Sequence, residues 1–337
     1  MSVSIALATY NGRTYIRDQL VSIAAQTEQP GELVVSDDGS TDDTLDIVRE
    51  FARSASFQVI VLPPHEQLGF ADNFLHAAAH CKHEYVMFCD QDDIWLPNKI
   101  ERGFGRVKAD GGLLSLHRMM LTDERLEPLD TFSQGIRGDN IFEALELEPY
   151  MTGWGNTMLF KRELATLVPR ESRPKQPGME RLLSHDTWIY TLAAALGRVS
   201  HINDHLILYR QHGTNVLGVR NGTLSEKWRE WITAPVTRYR DREAFNRTMS
   251  EIFFKIAHCD NEKHSAAAAI AAKRYSERQQ RVAARVAMFE APSLSSRLHA
   301  FQTIRSYGRV KGGRQLEKWL SAAKDFALGV VGLGRRE

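Results

Sequence analysis

The sequence predicts an α/β protein with a mostly parallel sheet covered by helices on both faces, followed by a C-terminal helical region. Two observations lead to this fold class. Short apolar runs alternate with helical patterns in the N-terminal part, and the chain from residue 225 onward reads as helical and basic. The 337 residues suggest two domains, which we place at residues 1–224 and 225–337.

The first elements follow directly from the positions of apolar residues. An apolar run at residues 3–8 predicts a buried parallel strand. Apolar residues recur at helical spacing between Ile16 and Ile23, and Pro30 ends that helix. A second short strand is predicted over residues 33–35.

The next elements continue the alternation. Ser40 or Thr41 is predicted to cap a helix that carries the apolar residues near positions 45–51. A third strand is expected at residues 57–62 and a helix at residues 69–80.

The later elements are less regular. A fourth strand is predicted at residues 85–89, and Pro97 is expected in the first turn of the next helix. Beyond about residue 110 the pattern loosens. We expect strands at 158–160 and 205–209 and a helix at 188–196.

Three polar clusters follow predicted strands directly. They occupy residues 9–12, 37–41 and 90–93. Ligands of such sheets bind at the carboxyl ends of the strands. The shared position of the clusters therefore predicts one site at this edge.

The cluster Asp90-Gln91-Asp92-Asp93 carries the clearest chemistry. Three carboxylates within four residues repel one another unless a cation lies among them. Oxygen ligands favour Mg²⁺ or Mn²⁺. A calcium loop of the EF-hand type is disfavoured, because Trp95 stands where that loop needs glycine. The alternative is a solvated acidic turn.

The other two clusters also have two interpretations. The acids of residues 37–43 either favour a helix N-terminus or supply a carboxylate to a nucleobase N–H. Residues 9–12 form either a plain turn or a cradle for a nucleoside. Asp186 is either a helix cap or a base, and Trp154 and Trp188 are by themselves typical of packing.

Composition and cysteine content narrow the class of protein. Hydrophobic residues make up 43% and charged residues 25%, as in soluble globular proteins. Three cysteines without CxxC spacing favour a reducing compartment and disfavour a structural zinc site. No run approaches the roughly 18 apolar residues of a membrane span, and no signal peptide is recognised, so we expect a cytoplasmic protein.

The charge is unevenly distributed. Residues 1–224 carry 21 basic and 30 acidic side chains, whereas residues 225–337 carry 22 and 12. The basic part is either a helical appendage that packs on the catalytic domain or on a second subunit, or a surface for anionic lipid at the inner face of the membrane. No recognition motif supports nucleic-acid binding.

Taken together, the motifs resemble family 2 glycosyltransferases, whose catalytic domain has the GT-A fold. The wording of the later motifs is most similar to the rhamnosyltransferase-like branch. The segments that carry the resemblance are ALATYNG (6–12), LVVSDDGSTDDT (33–44), LGFADNF (68–74), FCDQDDIW (88–95), SHDTW (184–188) and YRQHGTNVLG (209–218).

The resemblance implies a role for each matching residue. Asp186 matches the general base, and Asp92 and His212 match metal contacts. The positions that match nucleotide-sugar contacts are Thr9, Tyr10, Asn11, Asp38, Asn73, Asp90 and Gln91. Weaker matches to acceptor or donor sugar contacts are Trp154, Gly155, Asn156, His185 and Trp188. In one departure, Asp72 stands where many members carry an arginine that contacts the diphosphate.

The resemblance also implies a reaction. We expect an inverting transfer, dependent on Mn²⁺ or Mg²⁺, of a sugar such as L-rhamnose from a dTDP- or UDP-linked donor. The acceptor would be a hydroxyl of a glycan or lipid-linked molecule in cell-surface polysaccharide synthesis. One alternative is a sugar-phosphate nucleotidyltransferase, although residues 9–12 lack its glycine-rich loop. The other is a non-catalytic module that binds sugar nucleotides or glycans.

Overall fold

The computed structural model of this chain describes residues 3–147, 154–213, 236–259, 262–306 and 325–330. The chain divides into two compact units. Residues 1–173 and 183–218 form the first, and residues 174–182 and 219–337 form the second. The boundary predicted between residues 224 and 225 lies outside the described residues.

Four parallel strands form the first half of the sheet, in the spatial order β3-β2-β1-β4. Each strand is formed by an apolar run of the sequence, and β1 and β4 are buried along their whole length. The α/β class predicted from the sequence is confirmed. The strands are β1 (Val3–Thr9), β2 (Glu32–Asp37), β3 (Gln58–Val61) and β4 (Tyr85–Cys89).

Helices connect these strands, and two of their starts differ from the prediction. The predicted caps Ser40 and Thr41 are wrong, because the second helix begins at Thr44 and Asp43 precedes it. Pro97 lies two residues before the fourth helix rather than in its first turn, since Asn98 intervenes. The helices are α1 (Ile16–Ala24), α2 (Thr44–Ala52), α3 (Phe70–His80) and α4 (Lys99–Asp110).

The second half of the sheet is mixed. Its order continues from β4 as β9-β6-β10-β5, and β9 runs antiparallel to both of its neighbours. The expected parallel arrangement therefore holds up to β4, and antiparallel pairs enter with β9. Two further strands, β7 and β8, pair with β6 and β10. These strands are β5 (Ile94–Trp95), β6 (Leu114–Thr122), β7 (Pro128–Phe132), β8 (Asn140–Phe142), β9 (Met158–Lys161) and β10 (Val199–Arg210).

Two helices lie between β9 and β10. The first is short, α5 (Glu163–Thr166), and the second is α6 (His185–Leu196). Nearly every residue of α6 is buried, and Gly197 ends it. A helix that is apolar on all sides is expected in a core rather than at a surface.

The described part of the C-terminal region is helical, as predicted. It comprises α7 (Val236–Ala257), α8 (Glu262–Glu290), α9 (Leu294–Ser306) and a π-helical turn at Asp325–Val330. The first two helices pack through Phe253 and Tyr275, whose ring centroids lie 5.3 Å apart. Within the described residues, none of the helices combines the length and the apolar character needed to span a bilayer.

The aromatic residues of this basic region do not share one environment. Phe253 is buried in the helix pair, whereas Phe254 and Phe326 are exposed. Three tryptophans that the sequence places among the basic residues lie outside the described part of the chain; they are Trp228, Trp231 and Trp319.

Candidate active site

The carboxyl ends of β1 and β2 are joined by a dense hydrogen-bond network. Thr9 and Asp37 are register partners, and Thr9 Oγ1 donates to Asp37 Oδ1 at 2.7 Å. Asp37 Oδ2 also accepts from the backbone N–H groups of Ser40 at 2.8 Å and Gly39 at 3.2 Å. The Asp38 N–H donates to the Thr9 carbonyl oxygen at 2.9 Å. This end of the sheet is a rigid scaffold.

The carboxylate of Asp38, which is predicted to contact a nucleobase, accepts hydrogen bonds from the backbone of this chain. Its side chain is buried, and Oδ1 accepts from the Leu68 N–H at 2.6 Å while Oδ2 accepts from the Gly69 N–H at 2.9 Å. Gly69 has φ +79°, a conformation that favours glycine. Asp38 therefore holds the loop that leads into α3.

The loop after β1 is tied to the acidic cluster. The Tyr10 N–H donates to Gln91 Oε1 at 2.9 Å, and Gln91 Nε2 donates to the Tyr10 carbonyl at 3.0 Å. A Cβ at Gly12 would lie 2.2 Å from Gln91 Oε1, so a larger residue there would displace the Gln91 amide. Asn11 has φ +47°, and its Oδ1 accepts from the Thr41 N–H at 2.8 Å. The Tyr10 side chain is 48% exposed and free to meet a ligand.

Asn73 lies on α3 beneath this loop. Its Nδ2 donates to the Thr9 carbonyl at 3.3 Å, and the residue is buried. Its Oδ1 is buried and has no hydrogen-bond partner within the described residues. The structure thus joins Asn73, Thr9 and, through Tyr10, Gln91 at one edge of the sheet.

The acids after β4 lie in a different environment. Asp93 is fully buried, accepting from Asn156 Nδ2 at 2.8 Å and from the Arg210 N–H at 3.2 Å. Burial, followed by the Asp92 carboxylate, raises the pKa of Asp93 to about 7. Burial and the carboxylates of Asp93, Asp92 and Asp186 raise the pKa of Asp90 well above its usual value. Carboxyl groups are therefore crowded here, and their charged forms are disfavoured.

The predicted metal contacts are brought together. His212 Nε2 lies 2.9 Å from Asp92 Oδ2, and both side chains are largely buried. The His212 ring lies 4.8 Å from the Tyr15 ring. Arg210 Nε donates to the Asp92 carbonyl at 3.0 Å, and its guanidinium lies 4.5 Å from the Tyr15 ring centroid. Within the described residues, no three His, Cys, Asp or Glu side chains are placed to hold a metal.

Lys99 was missed from the sequence. It is completely buried at the start of α4, where its Nζ donates to the Asn156 carbonyl and lies 4.3 Å from the Trp95 ring centroid. Burial lowers the pKa of Lys99 to about 7, and the carboxylates of Asp93 and Asp90 oppose that shift. The local sequence gives no signal for this burial; in the structure Lys99 shares a helix face with Gly103 and Val107, which are also buried.

Asp186, the predicted base, lies in the first turn of α6. Its Oδ1 accepts from Ser184 Oγ and from the Thr187 N–H at 2.6 Å. A carboxylate at a helix N-terminus is favoured by the helix dipole. Because its charge acts on Asp90, the structure places the predicted base and the acidic cluster within electrostatic reach.

The predicted sugar contacts are mostly internal. Trp188 is 1% exposed and packs in the core, and its sugar contact stays a prediction that this burial does not favour. His185 is buried and stacks on Phe74 at 4.1 Å, and burial lowers the pKa of His185 to about 4. Gly155 packs against it, because a Cβ there would lie 2.5 Å from His185 Nε2.

Trp154 and Asn156 complete this group. Trp154 is partly exposed and makes an edge contact with Phe132 at 5.4 Å. Asn156 is buried between Lys99 and Asp93, to which it is hydrogen-bonded. Asn156 therefore connects the buried cation to the buried acid, while sugar contacts by Trp154, Gly155, Asn156 and His185 stay predictions.

The departure at Asp72 has a structural counterpart. Asp72 Oδ1 accepts from Arg173 Nη2, and the Arg173 side chain is only 1% exposed. Asp72 thus binds a cation from elsewhere in the chain. The two residues are 101 positions apart, so no local pattern predicts the pair.

The sequence of this chain is similar to those of known proteins. The family model described as "Glycosyl transferase family 2" matches residues 4–206. The chain is 28% identical over 222 residues to the uncharacterized glycosyltransferase alr2836 of Nostoc sp., an alignment that covers 64% of this chain and 66% of that protein. It is 27% identical over 262 residues to the dTDP-rhamnosyl transferase RfbG of Shigella flexneri, covering 73% of this chain and 88% of RfbG.

A solved structure shares the fold. It is TarS 1–349 of S. aureus in complex with UDP, which aligns over 98% of this chain and 81% of its own length. The TM-score is 0.53 and the sequence identity 19%. This likeness shows a GT-A-like mixed sheet with a C-terminal helical region.

Proposed function

Because this chain belongs to glycosyl transferase family 2 and is a glycosyltransferase, we propose that it moves a sugar from a nucleoside-diphosphate donor to a hydroxyl group with inversion at the anomeric carbon. Three groups of residues support the proposal: the scaffold at Thr9 and Asp37, the Asp92–His212 pair, and Asp186. The observation that carries it is the Asp92–His212 pair, in which a carboxylate oxygen and an imidazole nitrogen lie 2.9 Å apart within the acidic cluster after β4.

The acidic cluster fits a divalent cation. Asp92 and His212 supply an oxygen and a nitrogen side by side at 2.9 Å, a donor set suited to Mn²⁺ and acceptable to Mg²⁺. Two protein ligands suffice where phosphate oxygens of a substrate complete the coordination. The raised pKa of Asp90 points the same way, because a nearby cation would relieve the crowding of carboxylates. When bound, the ion would neutralise the charge that develops on the leaving diphosphate.

The protein's own residues supply the base and orient it. Asp186 accepts the proton of the acceptor hydroxyl as its oxygen attacks the anomeric carbon, while the bond to the diphosphate oxygen breaks on the opposite face. This single displacement inverts the configuration. Hydrogen bonds from Ser184 and Thr187 to Oδ1 orient the carboxylate. Base catalysis of this kind contributes roughly 10²–10⁴-fold in rate.

The donor and acceptor are proposed more specifically. The name of RfbG supports a dTDP-linked rhamnose donor, with UDP-sugars as the alternative. The acceptor we propose is a glycan or lipid-linked molecule of cell-surface polysaccharide synthesis. Its lipid would be met at the cytoplasmic face of the membrane by the basic region of residues 225–337, with 22 basic and 12 acidic side chains.

The test is nucleoside-diphosphate release from dTDP-rhamnose, UDP-GlcNAc and UDP-glucose, with Mn²⁺ or with EDTA, in the presence of lipid-linked glycans that supply the acceptor hydroxyl. We expect Asp186→Asn to lower turnover by about 10²–10⁴-fold while donor binding by calorimetry is unchanged, since only the proton acceptor is lost. Asp46→Asn is the matched control, because Asp46 is also an acid in a first helical turn but is exposed.

The outcomes separate the alternatives. Formation of a nucleoside triphosphate and a sugar 1-phosphate when pyrophosphate is added to the donor would indicate a nucleotidyltransferase. Donor binding with no turnover in the native protein would indicate a binding module. Normal transfer by Asp186→Asn would remove the base assignment.

A further inference from the structure

A buried ion pair lies beside the start of α6. Arg173 donates from Nη2 to Asp72 on α3, from Nη1 to the Leu183 carbonyl at 2.8 Å, and from Nε to the Arg170 carbonyl at 3.0 Å. Each of its three guanidinium nitrogens therefore donates to an acceptor, one to a carboxylate and two to backbone carbonyls. A charge this deeply buried is tolerated only where such partners satisfy it.

The three acceptors belong to separate parts of the chain. Arg173 and Leu183 flank residues 174–182, which group with the C-terminal unit. The hydrogen bond from Arg173 to the Leu183 carbonyl therefore joins the two ends of that segment. Arg170 lies just before it, in a short 3₁₀ turn. Asp72 anchors the whole assembly to α3, whose neighbouring residue Asn73 donates to the Thr9 carbonyl.

The residues that follow Leu183 contact the proposed base, Asp186. Leu183 is followed by Ser184, which donates to Asp186 Oδ1, and by Thr187, whose N–H donates to the same oxygen at 2.6 Å. On its other side the start of the helix is held by His185, which stacks on Phe74 of α3 at 4.1 Å. Two neighbouring contacts to α3 thus fix where α6 begins.

We propose that the Asp72–Arg173 pair positions Asp186 for catalysis by fixing the start of α6 against α3. The inference rests on the proposed function, in which Asp186 is the base. Arg173 has no access to substrate and is a positioning residue. In this role, Asp72 binds the guanidinium of Arg173. The arginine that many family members carry at this position would instead contact the diphosphate.

The test compares Arg173→Gln with Arg198→Gln. Arg198 makes the same types of contact, donating to the Glu143 carboxylate at 2.8 Å and to the Asp110 carbonyl at 3.3 Å, but it is exposed. For Arg173→Gln we expect turnover with the donor panel to fall about 10²-fold, because a displacement near 1 Å costs that much. The donor KM, and the affinity for UDP and dTDP with MnCl₂, should stay within about twofold.

Two further measurements keep the inference open to refutation if Arg173→Gln does not fold. Asp72→Asn removes only the charge of the partner and should also lower kcat, whereas Asp72→Glu keeps the charge and should recover most of it. Hydrogen exchange on the ligand-free protein should be faster by about tenfold at amides 183–188 in the Asp72→Asn variant, with the amides of β1 unaffected.

The outcomes are distinct. Turnover and exchange within about twofold of the native protein in folded Asp72→Asn would overturn the inference, as would equal losses in Asp72→Asn and Asp72→Glu. If Asp186→Asn loses turnover and Arg173→Gln does not, only the positioning role fails. If Asp186→Asn transfers sugar normally, the base assignment fails, and the exchange at amides 183–188 still decides whether the pair fixes the start of α6.

Discussion

Two neighbouring strand ends in this sheet treat their aspartates in opposite ways. After β2, Asp37 and Asp38 are surrounded by donors, and Asp38 alone accepts two backbone N–H groups at 2.6 and 2.9 Å. After β4, Asp93 is buried and Asp90 is half-buried, other carboxylates act on both, and the pKa of each is raised. The sequences, DDGSTDD and DQDD, look equally acidic.

The difference shows which of the two acidic clusters an added cation would stabilise more. At β2 the acids accept hydrogen bonds from backbone N–H groups and act as part of the scaffold. At β4 burial disfavours the charged form of Asp93 and Asp90, and the pKa of the buried Lys99, whose charge opposes that effect, is itself lowered by desolvation. The β4 end is therefore the place where an added cation brings the greatest relief.

The largest expected effect is at the buried lysine. Lys99→Met keeps the length of the side chain but removes the charge near Asp90 and Asp93 and leaves the Asn156 carbonyl without its donor. We expect the free energy of unfolding to fall by about 3 kcal/mol, because the buried Asn156 carbonyl is left without its hydrogen-bond donor. Urea unfolding at pH 7 in EDTA measures it.

Lys108→Met is the control for that experiment. Lys108 is on the same helix, and its Nζ also lies over an aromatic ring, 5.6 Å from the Phe104 centroid, but its side chain is exposed. Its replacement should change stability by no more than about 0.5 kcal/mol. Equal effects of the two substitutions would show that Lys99 does not stabilise the β4 end.

Much of the β2 and β4 geometry could be predicted from the sequence, because apolar runs that end in polar clusters specify buried parallel strands. The environments of the acids could not. The burial of Lys99 depends on tertiary packing, since lysine in a helix is normally exposed. The protection of Asp38 depends on a loop 30 residues away, and the mixed half of the sheet on β9, which inserts between β4 and β6.

A second prediction concerns pH. His185 packs on Phe88 of β4, with ring centroids 4.7 Å apart, and its folded pKa of about 4 lies below its ordinary value of 6.5. The unfolded chain therefore binds more protons between pH 6.5 and 4, so His185 makes stability fall as pH decreases through that range. Asp93, with a folded pKa of about 7, has the opposite effect from about pH 4 to 7.

His185→Phe separates these two contributions. The substitution keeps an aromatic ring against Phe74 and removes the titration, so any packing cost is independent of pH. Between pH 6.5 and 4 the difference in unfolding free energy between native protein and variant should change by about 3 kcal/mol in favour of the variant. A constant difference, measured by urea unfolding across that range, would show that His185 does not titrate as its burial requires.

The smallest effect is also the most direct comparison of the two strand ends. Asp38→Asn takes a charged acceptor from two backbone N–H groups, which should cost about 2 kcal/mol at pH 7. Asp93→Asn should cost less than about 1 kcal/mol, because an acid with a pKa of about 7 is already half protonated at that pH.

The amide that Asp93→Asn introduces also has a partner available. Asn156 Oδ1 is buried and has no hydrogen-bond partner within the described residues, so rotation of the Asn156 amide would let this oxygen accept from the introduced side-chain NH₂ group. The Arg210 N–H could still donate to the remaining amide oxygen. Urea unfolding of both variants in EDTA decides the matter: if Asp93→Asn costs as much as Asp38→Asn, the carboxylate after β4 is as well stabilised as the one after β2, and the contrast between the two ends disappears.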